Sequence, residues 1–329
     1  MPVRQTRSNP ALAVLAALSL MKTFAGPTLA QNWPEKPVKI VVPIGPGSAA
    51  DIVPRLVMEE AAKHLGQPII VENRAGAGGV IGATAVAKAP PDGYTLLAMS
   101  SSLTILPSVH KSLPFNVKID LVPIAAFGSI ANALVVAPST RFQTLAELVV
   151  AAKANPGKLN YASVGHGTAL HLSAERLRLS AGIEVQHVPY KSGPEVVTEL
   201  VTGRIDFAYL PVSLVLPQVA ANKLQVLGVS SPSRSSSLPN VPTTLELGFA
   251  ASDYNFWLGV FAPANTPSAA LARLQEVIAK ALAAPEVREQ LTKLGVEQMP
   301  LTASQLQALV SSEIDINAEL VRAANIKIE

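Results

Sequence analysis

The feature that most constrains this 329-residue chain is a repeated alternation of short apolar runs with longer stretches of helical spacing. Residues 38–42, Val-Lys-Ile-Val-Val, form a β-branched run of strand length. Residues 52–65 then carry apolar side chains at three- and four-residue steps and stop at Gly66, as a helix does. A second strand is expected over 68–72, a small-residue helix over 80–89 and a third strand over 94–99. Pro91-Asp92-Gly93 makes the turn between the last two. The order βαβαβ implies a doubly wound parallel sheet with helices on both faces.

A second series starts at residues 133–138. Thr144 is placed to cap a helix over 145–154, which Asn155-Pro156-Gly157 stops. Strands are expected over 161–164, 185–190 and 205–210, with helices over 169–181 and 194–202 between them. The run 224–230 closes the series, and 231–242, rich in Ser and Pro, is an exposed connection. Residues 256–263 end in Ala-Pro, as 133–138 do. These two segments are read as crossings between two lobes. Lobe 1 is then discontinuous, residues 31–132 and 254–329, and lobe 2 spans 133–253. The C-terminal helices, from Ser268 past Pro285 and over 304–324, return to lobe 1.

The N-terminus sets the compartment. Arg4 and Arg7 precede an apolar stretch over 11–21, and small residues follow to Ala30. This is the pattern of a secretory signal peptide, residues 1–30, cleaved after Ala30, and it fits an exported bacterial envelope protein. The apolar core is too short to span a bilayer, and no later segment has the roughly 18 uninterrupted apolar residues required. Removing residues 1–30 takes away Arg4, Arg7 and Lys22 and no acidic residue, so the formal charge of +3 falls to zero. No nucleic-acid partner follows from such a balance. The absence of cysteine excludes disulfides and thiolate chemistry.

Ligands in open α/β sheets sit at the carboxyl ends of strands. The first such loop, residues 43–51, is Pro-Ile-Gly-Pro-Gly-Ser-Ala-Ala-Asp. Its glycines let the backbone approach a bound group, and the helix beyond it favours negative charge. Asp51 is read as the cap of that helix or as a ligand contact. The other loops are 100–102, 163–168 and the region after Asp206. All are rich in Gly, Ser or Thr and offer N–H and hydroxyl donors, which suit a carboxylate. The candidate ligand residues are Ile44, Gly45, Gly47, Ser48, Asp51, Ser100, Ser102, Ser163, Gly167, Thr168 and Asp206. For Asp206, solute contact and a fold-stabilising role are equal readings.

His166 is an exposed loop residue or, if it faces the cleft, a source of pH-dependent binding; His171 is a local hydrogen-bonder. The five histidines show no metal-ligand spacing, so no metal is expected. Gly76, Gly78 and Gly82 fit a dinucleotide fingerprint only loosely, the third being one residue too far. Close helix–sheet packing explains them better, and no cofactor is expected. No Gly-x-Ser-x-Gly elbow and no activated nucleophile is present, so the chain is read as a binding protein rather than an enzyme such as a secreted hydrolase.

Several segments carry a resemblance. They include Trp33-Pro34-Glu35-Lys36-Pro37, the 43–51 loop with Arg55, and Val71-Glu72-Asn73-Arg74-Ala75-Gly76-Ala77-Gly78-Gly79. Pro91-Asp92-Gly93-Tyr94, Pro156-Gly157-Lys158-Leu159-Asn160-Tyr161-Ala162-Ser163, His187-Val188-Pro189-Tyr190-Lys191 and Leu238-Pro239-Asn240-Val241-Pro242-Thr243 follow in order. Together they resemble the Bug family, the periplasmic solute-binding proteins of tripartite tricarboxylate transporters. The resemblance implies an α/β, two-lobed periplasmic-binding-protein fold of the Venus-flytrap, type II-like kind, joined by two crossover strands. It further implies a small carboxylate solute, often held through ordered waters, and the membrane components of such a transporter as partners. A monomer is expected.

The chain departs from the family pattern at named positions. Ile44 and Gly45 stand where an aromatic residue and a second Pro are usual, and Ser48 and Ala50 replace Gly and a hydroxyl residue. Ser100-Ser101-Ser102 stands for Ser-Gly-Thr. Leu210 and Pro211 stand for an acidic residue and an amide, which suggests a less polar distal pocket. A ligand-sensing module with the same fold is the alternative, since uptake and sensing both require only closure on a ligand.

Overall fold

The computed structural model describes residues 33–140 and 142–326; the expected signal peptide lies outside the described residues. In chain order the first strands are β1 (Val38–Val42), β2 (Ile69–Asn73), β3 (Thr95–Ser100), β4 (Leu121–Ile130), β5 (Asn132–Val136) and β6 (Asn160–Ser163). β7 (Gln186–Pro189), β8 (Phe207–Pro211), β9 (Gln225–Val229), β10 (Phe256–Pro263) and β11 (Val296–Glu297) follow. They form two sheets, ordered β11-β4-β10-β3-β1-β2 and β7-β6-β8-β5-β9.

Side-chain alternation along β1 sorts the first sheet's two cores. Val38, Ile40 and Val42 face the helices Ala49–Leu65 and Ser268–Ala283, packing with Val53, Val57, Leu274 and Val277. Val41 points the other way, with Ala83 and Val86 of the Val80–Ala87 helix and Leu306 and Val310 of the Ala303–Ala323 helix. The Ser268–Ala283 and Ala303–Ala323 helices thus pack on opposite faces of the first sheet. Trp257, Phe261, Leu96 and Leu97 are almost completely buried in these layers. Each such side chain contributes about 1.5–3 kcal/mol relative to exposure.

Both sheets are mixed rather than wholly parallel. β1 pairs in parallel with β2 and β3, and β6 with β7 and β8, as the alternation predicts. β10 runs antiparallel to β3 and β4, and β5 runs antiparallel to β8 and β9. The reason is that the chain leaves one sheet for the other and comes back.

The crossings fall beside the segments that sequence assigned to them. Residues 133–136 lie wholly inside β5, and the first passage is Ala131, between β4 and β5. Residues 256–263 are β10, inside the first sheet, and the return precedes them. There Ser230 donates its N–H to Asn132 O at 2.9 Å, and Tyr254 donates its own to Ser230 O at 2.7 Å. Phe256 then pairs with Ile130. The two passages thus run side by side, and residues 231–253 make an excursion that starts and ends between the sheets.

This topology orients the loops. Asn132 pairs with Pro211, the carboxyl end of β8, while Ile130 lies on the edge of the first sheet where β3 ends at Ser100. The carboxyl ends of the parallel strands in both sheets therefore lie toward the crossings.

Candidate cleft site

The first loop is built around a buried carboxylate. The Ala49–Leu65 helix starts with Ser48 at the cap position, so Asp51 lies in the first turn and is not the cap. Ser48 holds this place through its extended backbone, and its side chain makes no capping bond. The Asp51 side chain turns inward. It accepts from Gly47 N–H at 3.0 Å, Arg55 Nε at 2.9 Å and Asn73 Nδ2 at 2.8 Å. Asn73 also donates to Ile44 O at 3.0 Å and receives Arg55 Nη2 at 2.5 Å. Burial opposes ionisation of Asp51, yet the bonds from Asn73, Gly47 and Arg55 hold its carboxyl below the ordinary value. A carboxylate committed in this way organises the loop and is not available as a solute contact.

Above it, Gly45, Pro46, Gly47 and Ser48 are exposed. Gly47 has φ +98°, a conformation that L side chains rarely adopt. Gly45 has an ordinary φ, and a Cβ on either glycine would meet nothing within 4 Å. The loop is an open surface of backbone, fixed from below by Asp51, Arg55 and Asn73. Sequence quoted Arg55 and Asn73 without giving them this role; the four-residue step from Asp51 to Arg55 on a helix was the available signal.

The glycines after β2 do pack closely. A Cβ on Gly82 would lie 2.8 Å from Pro43 Cβ and 2.9 Å from Arg74 O, so the Val80–Ala87 helix meets the first loop at backbone distance. After β3, the Ser100 and Ser102 hydroxyls lie 2.8 Å apart at the same sheet edge. Ser101 is buried instead, 3.4 Å from the Tyr254 hydroxyl beside the second passage.

In the second sheet the 163–168 loop is similarly cross-braced. Thr168 caps the Ala169–Ala181 helix by accepting from His171 N–H at 3.4 Å, and it donates to Gly165 O at 2.8 Å. Gly167 N–H donates to His171 Nδ1 at 3.0 Å, so His171 is a local hydrogen-bonder as read. The Ser163 side chain points away from solvent. It contacts His187 Nε2 at 2.7 Å, donates to Gly165 O at 3.0 Å and accepts Gly165 N–H at 3.1 Å. Its hydroxyl is a strut for the loop and not a free donor. A Cβ on Gly167 would come 3.3 Å from Val109 Cγ1, which brings this loop against a segment of the first sheet's side.

Two further expectations are corrected. Asp206 precedes β8 rather than ending a strand at the cleft. It accepts Asn160 N–H at 2.8 Å and donates its own N–H to Asn160 Oδ1 at 3.0 Å, tying the amino ends of β6 and β8 at the opposite edge. Its role is structural. Leu210 is fully buried in the core of the second sheet, so its apolar side chain does not form the wall of an open pocket.

The structure also assembles what spacing along the chain did not suggest. His166, His171 and His187 each offer one nitrogen within 4.8 Å of the other two. His171 and His187 stack at 4.0 Å between ring centroids, and His166 meets both edge-on at 5.6 and 4.8 Å. Tyr161 lies near-parallel beside both rings, 4.9 Å from His187 and 6.3 Å from His171. Burial, then the neighbouring imidazoles, depress His171 to about 3, with Arg178 adding to the effect. Burial and His166 depress His187 to about 4. Both rings are neutral at ordinary pH.

Two mixed α/β sheets whose parallel strands end toward paired crossings make the two-lobed fold of periplasmic binding proteins. The chain belongs to the tripartite tricarboxylate transporter receptor family, whose sequence model matches residues 53–326. It is therefore a periplasmic-type solute-binding protein of those three-part transporters. It is 38% identical over 306 residues to a protein from Pseudomonas sp. (strain P51) named for the tcbD-tcbE intergenic region, across 92% of this chain and 91% of that one. Among solved structures it resembles Rpa4515 of R. palustris with adipate, at TM-score 0.79 and 28% identity, covering 90% of this chain and 100% of that one. It also resembles MatC from Rhodopseudomonas palustris with bound malate, at TM-score 0.76 and 30% identity, covering 88% and 100%.

Proposed function

We propose that the mature protein, exported and cleaved after Ala30, captures a small carboxylate between the two sheet edges. It then presents that solute to the membrane components of a tripartite transporter, as a monomer and without chemical turnover. The observation that carries this reading is the open 45–48 loop: exposed backbone at a helix N-terminus, braced from below by a buried Asp51 through the Gly47 N–H. Backbone N–H groups and a helix N-terminus stabilise an anion there without any charged side chain in contact. Ile44, Gly45, Gly47 and Ser48 form one side of the clamp, with Ser100 and Ser102 beside them; Gly167 and Thr168, whose N–H and hydroxyl already bond His171 and Gly165, form the other by position rather than as free donors. Structural relatives with bound malate and adipate support a dicarboxylate as the first class to test.

The test is a thermal-shift screen of the protein lacking residues 1–30 against mono-, di- and tricarboxylates, with recovery of each compound measured. One or a few carboxylates should stabilise the fold, by about 2.7 kcal/mol at a hundred times Kd, and be recovered unchanged. Gly45→Val should abolish the shift while leaving the unliganded melting temperature nearly unaltered, because its backbone is unstrained and its Cβ enters open space. Stabilisation by sugars or cations alone, or an undiminished shift in Gly45→Val, overturns the reading.

A further inference from the structure

We propose that His166, His171 and His187 bind one divalent transition-metal ion, of the zinc or copper type, at the cleft-side edge of the second sheet. The three ligands come from three elements: the loop after β6, the first turn of the Ala169–Ala181 helix, and β7. They are three of the five histidines in the chain. An all-imidazole donor set suits zinc, copper or nickel and disfavours magnesium and calcium, which take oxygen ligands.

The hydrogen bonds around the cluster assign the protons. Ser163 Oγ directs its hydrogen to Gly165 O, so it accepts from His187 Nε2. The lone pair of His187 is thereby left on Nδ1, a buried atom with no hydrogen-bond partner. A ring whose outer nitrogen is oriented by a neighbour while its inner nitrogen stands free is the arrangement in which protein imidazoles take up metals. His171 is the reverse case. Its Nδ1 accepts from Gly167 N–H, which places its proton on Nε2. Ligation through Nε2 shifts that proton to Nδ1 and releases the Gly167 N–H.

Metal uptake therefore moves the loop. Nitrogens up to 4.8 Å apart must close to roughly 3.3 Å, the separation of two ligands at about 2.0–2.1 Å in a tetrahedron. His166 is exposed and lies between Gly165 (φ +126°) and Gly167 (φ +68°), so this ligand is the one free to travel. The stacked rings of His171 and His187 turn out of parallel as the ion enters between their nitrogens. Arg178, the cation whose charge reaches His171, is paired with Glu175 at 2.8 Å. Three protein ligands leave a fourth position for water or for a solute oxygen.

The experiment uses tag-free protein lacking residues 1–30, stripped with a chelator and titrated with zinc chloride against a chromophoric competitor. Cobalt chloride then serves as a spectroscopic probe. One equivalent of zinc should bind, and cobalt should give the intense visible absorption of a four-coordinate site. His166→Ala should keep the fold and lose more affinity than the roughly 10–100-fold typical of an outer-shell change. His64→Ala, outside the cluster, should change nothing. His187→Gln should abolish binding; if that variant does not fold, His166→Ala alone decides. Absence of saturable zinc binding below millimolar concentration overturns the proposal, as does unchanged affinity in His166→Ala. A stripped protein that takes a carboxylate but no zinc sinks the metal site and spares the solute reading.

Discussion

Asp51 lies beneath the first loop, its carboxylate shared among the Gly47 N–H, Arg55 and Asn73. Removing it takes a shared acceptor from three donors, of which Asn73 is half-buried while Gly47 and Arg55 can reach water. Asp51→Ala should therefore lower unfolding stability by about 1–3 kcal/mol, the cost of leaving such groups unpaired, and weaken solute binding by releasing Gly47. Asp51→Asn, which keeps one acceptor oxygen, should fall between. Urea unfolding and calorimetric titration of the three proteins check both effects, and intact solute affinity in Asp51→Ala would detach the carboxylate from the loop's role. Sequence identified the residue and missed its use. At position 51 a cap and a first-turn acid differ by only three residues, and the extended backbone of Ser48, not any side-chain bond, decided between them. Asp206 was misplaced for a related reason. Its loop was counted among the carboxyl ends although the strand expected over 205–210 begins beside it; β8 starts at Phe207, and the carboxylate falls at the amino edge.

Among elements, helix starts were the most legible. Thr144 caps the Leu145–Ala154 helix and forms a full capping box with Glu147, and Thr168 caps the Ala169–Ala181 helix. The two caps make an internal control. Thr144→Ala and Thr168→Ala should each cost about 1 kcal/mol by denaturant unfolding. Only Thr168→Ala should reduce solute binding, because that side chain also holds Gly165 O in the proposed clamp. Equal binding in both variants would remove the second loop from the site. β4 was the least legible element, since Pro123 and Gly128 punctuate it like a loop. In the sheet both residues lie beside register shifts against β10, where bulges absorb them. The histidine cluster was hidden differently. Positions 166, 171 and 187 share no helical face or strand phase, and only the parallel pairing of β6 with β7 brings them together.

At the scale of the molecule, a buried polar network ties the returning chain to the C-terminal helix. Glu313 accepts Trp257 Nε1–H at 3.0 and 3.1 Å, and Thr104 Oγ1 lies 3.2 Å away. Thr104 Oγ1 shares its hydrogen between Glu313 and Ser101 O, the latter at 2.7 Å, and accepts from Asn317 Nδ2 at 2.9 Å. Burial raises Glu313 to about 7, partly opposed by the bonds from Trp257 and Thr104 and by the charge of Arg176. The folded state thus holds a proton that the unfolded chain, near 4.5, has lost. This contribution is fully present below about pH 4.5 and disappears as pH rises through about 7, for a total on the order of 3 kcal/mol. Glu313→Gln should flatten that part of the profile, measured as urea unfolding free energy between pH 5 and 8. An unchanged slope would place the titration elsewhere.

The hydrogen bonds from Ser230 to Asn132 and from Tyr254 to Ser230 also bear on how such a molecule flexes. Two independent tethers would let the halves twist, shear and splay. Strands laced edge to edge behave as a flat ribbon, compliant when bent across its face and stiff when bent within its plane. Such anisotropy predicts rotation about one axis, as a book turns about its spine, and distances between paired spin labels on the two sheets should change along that axis alone.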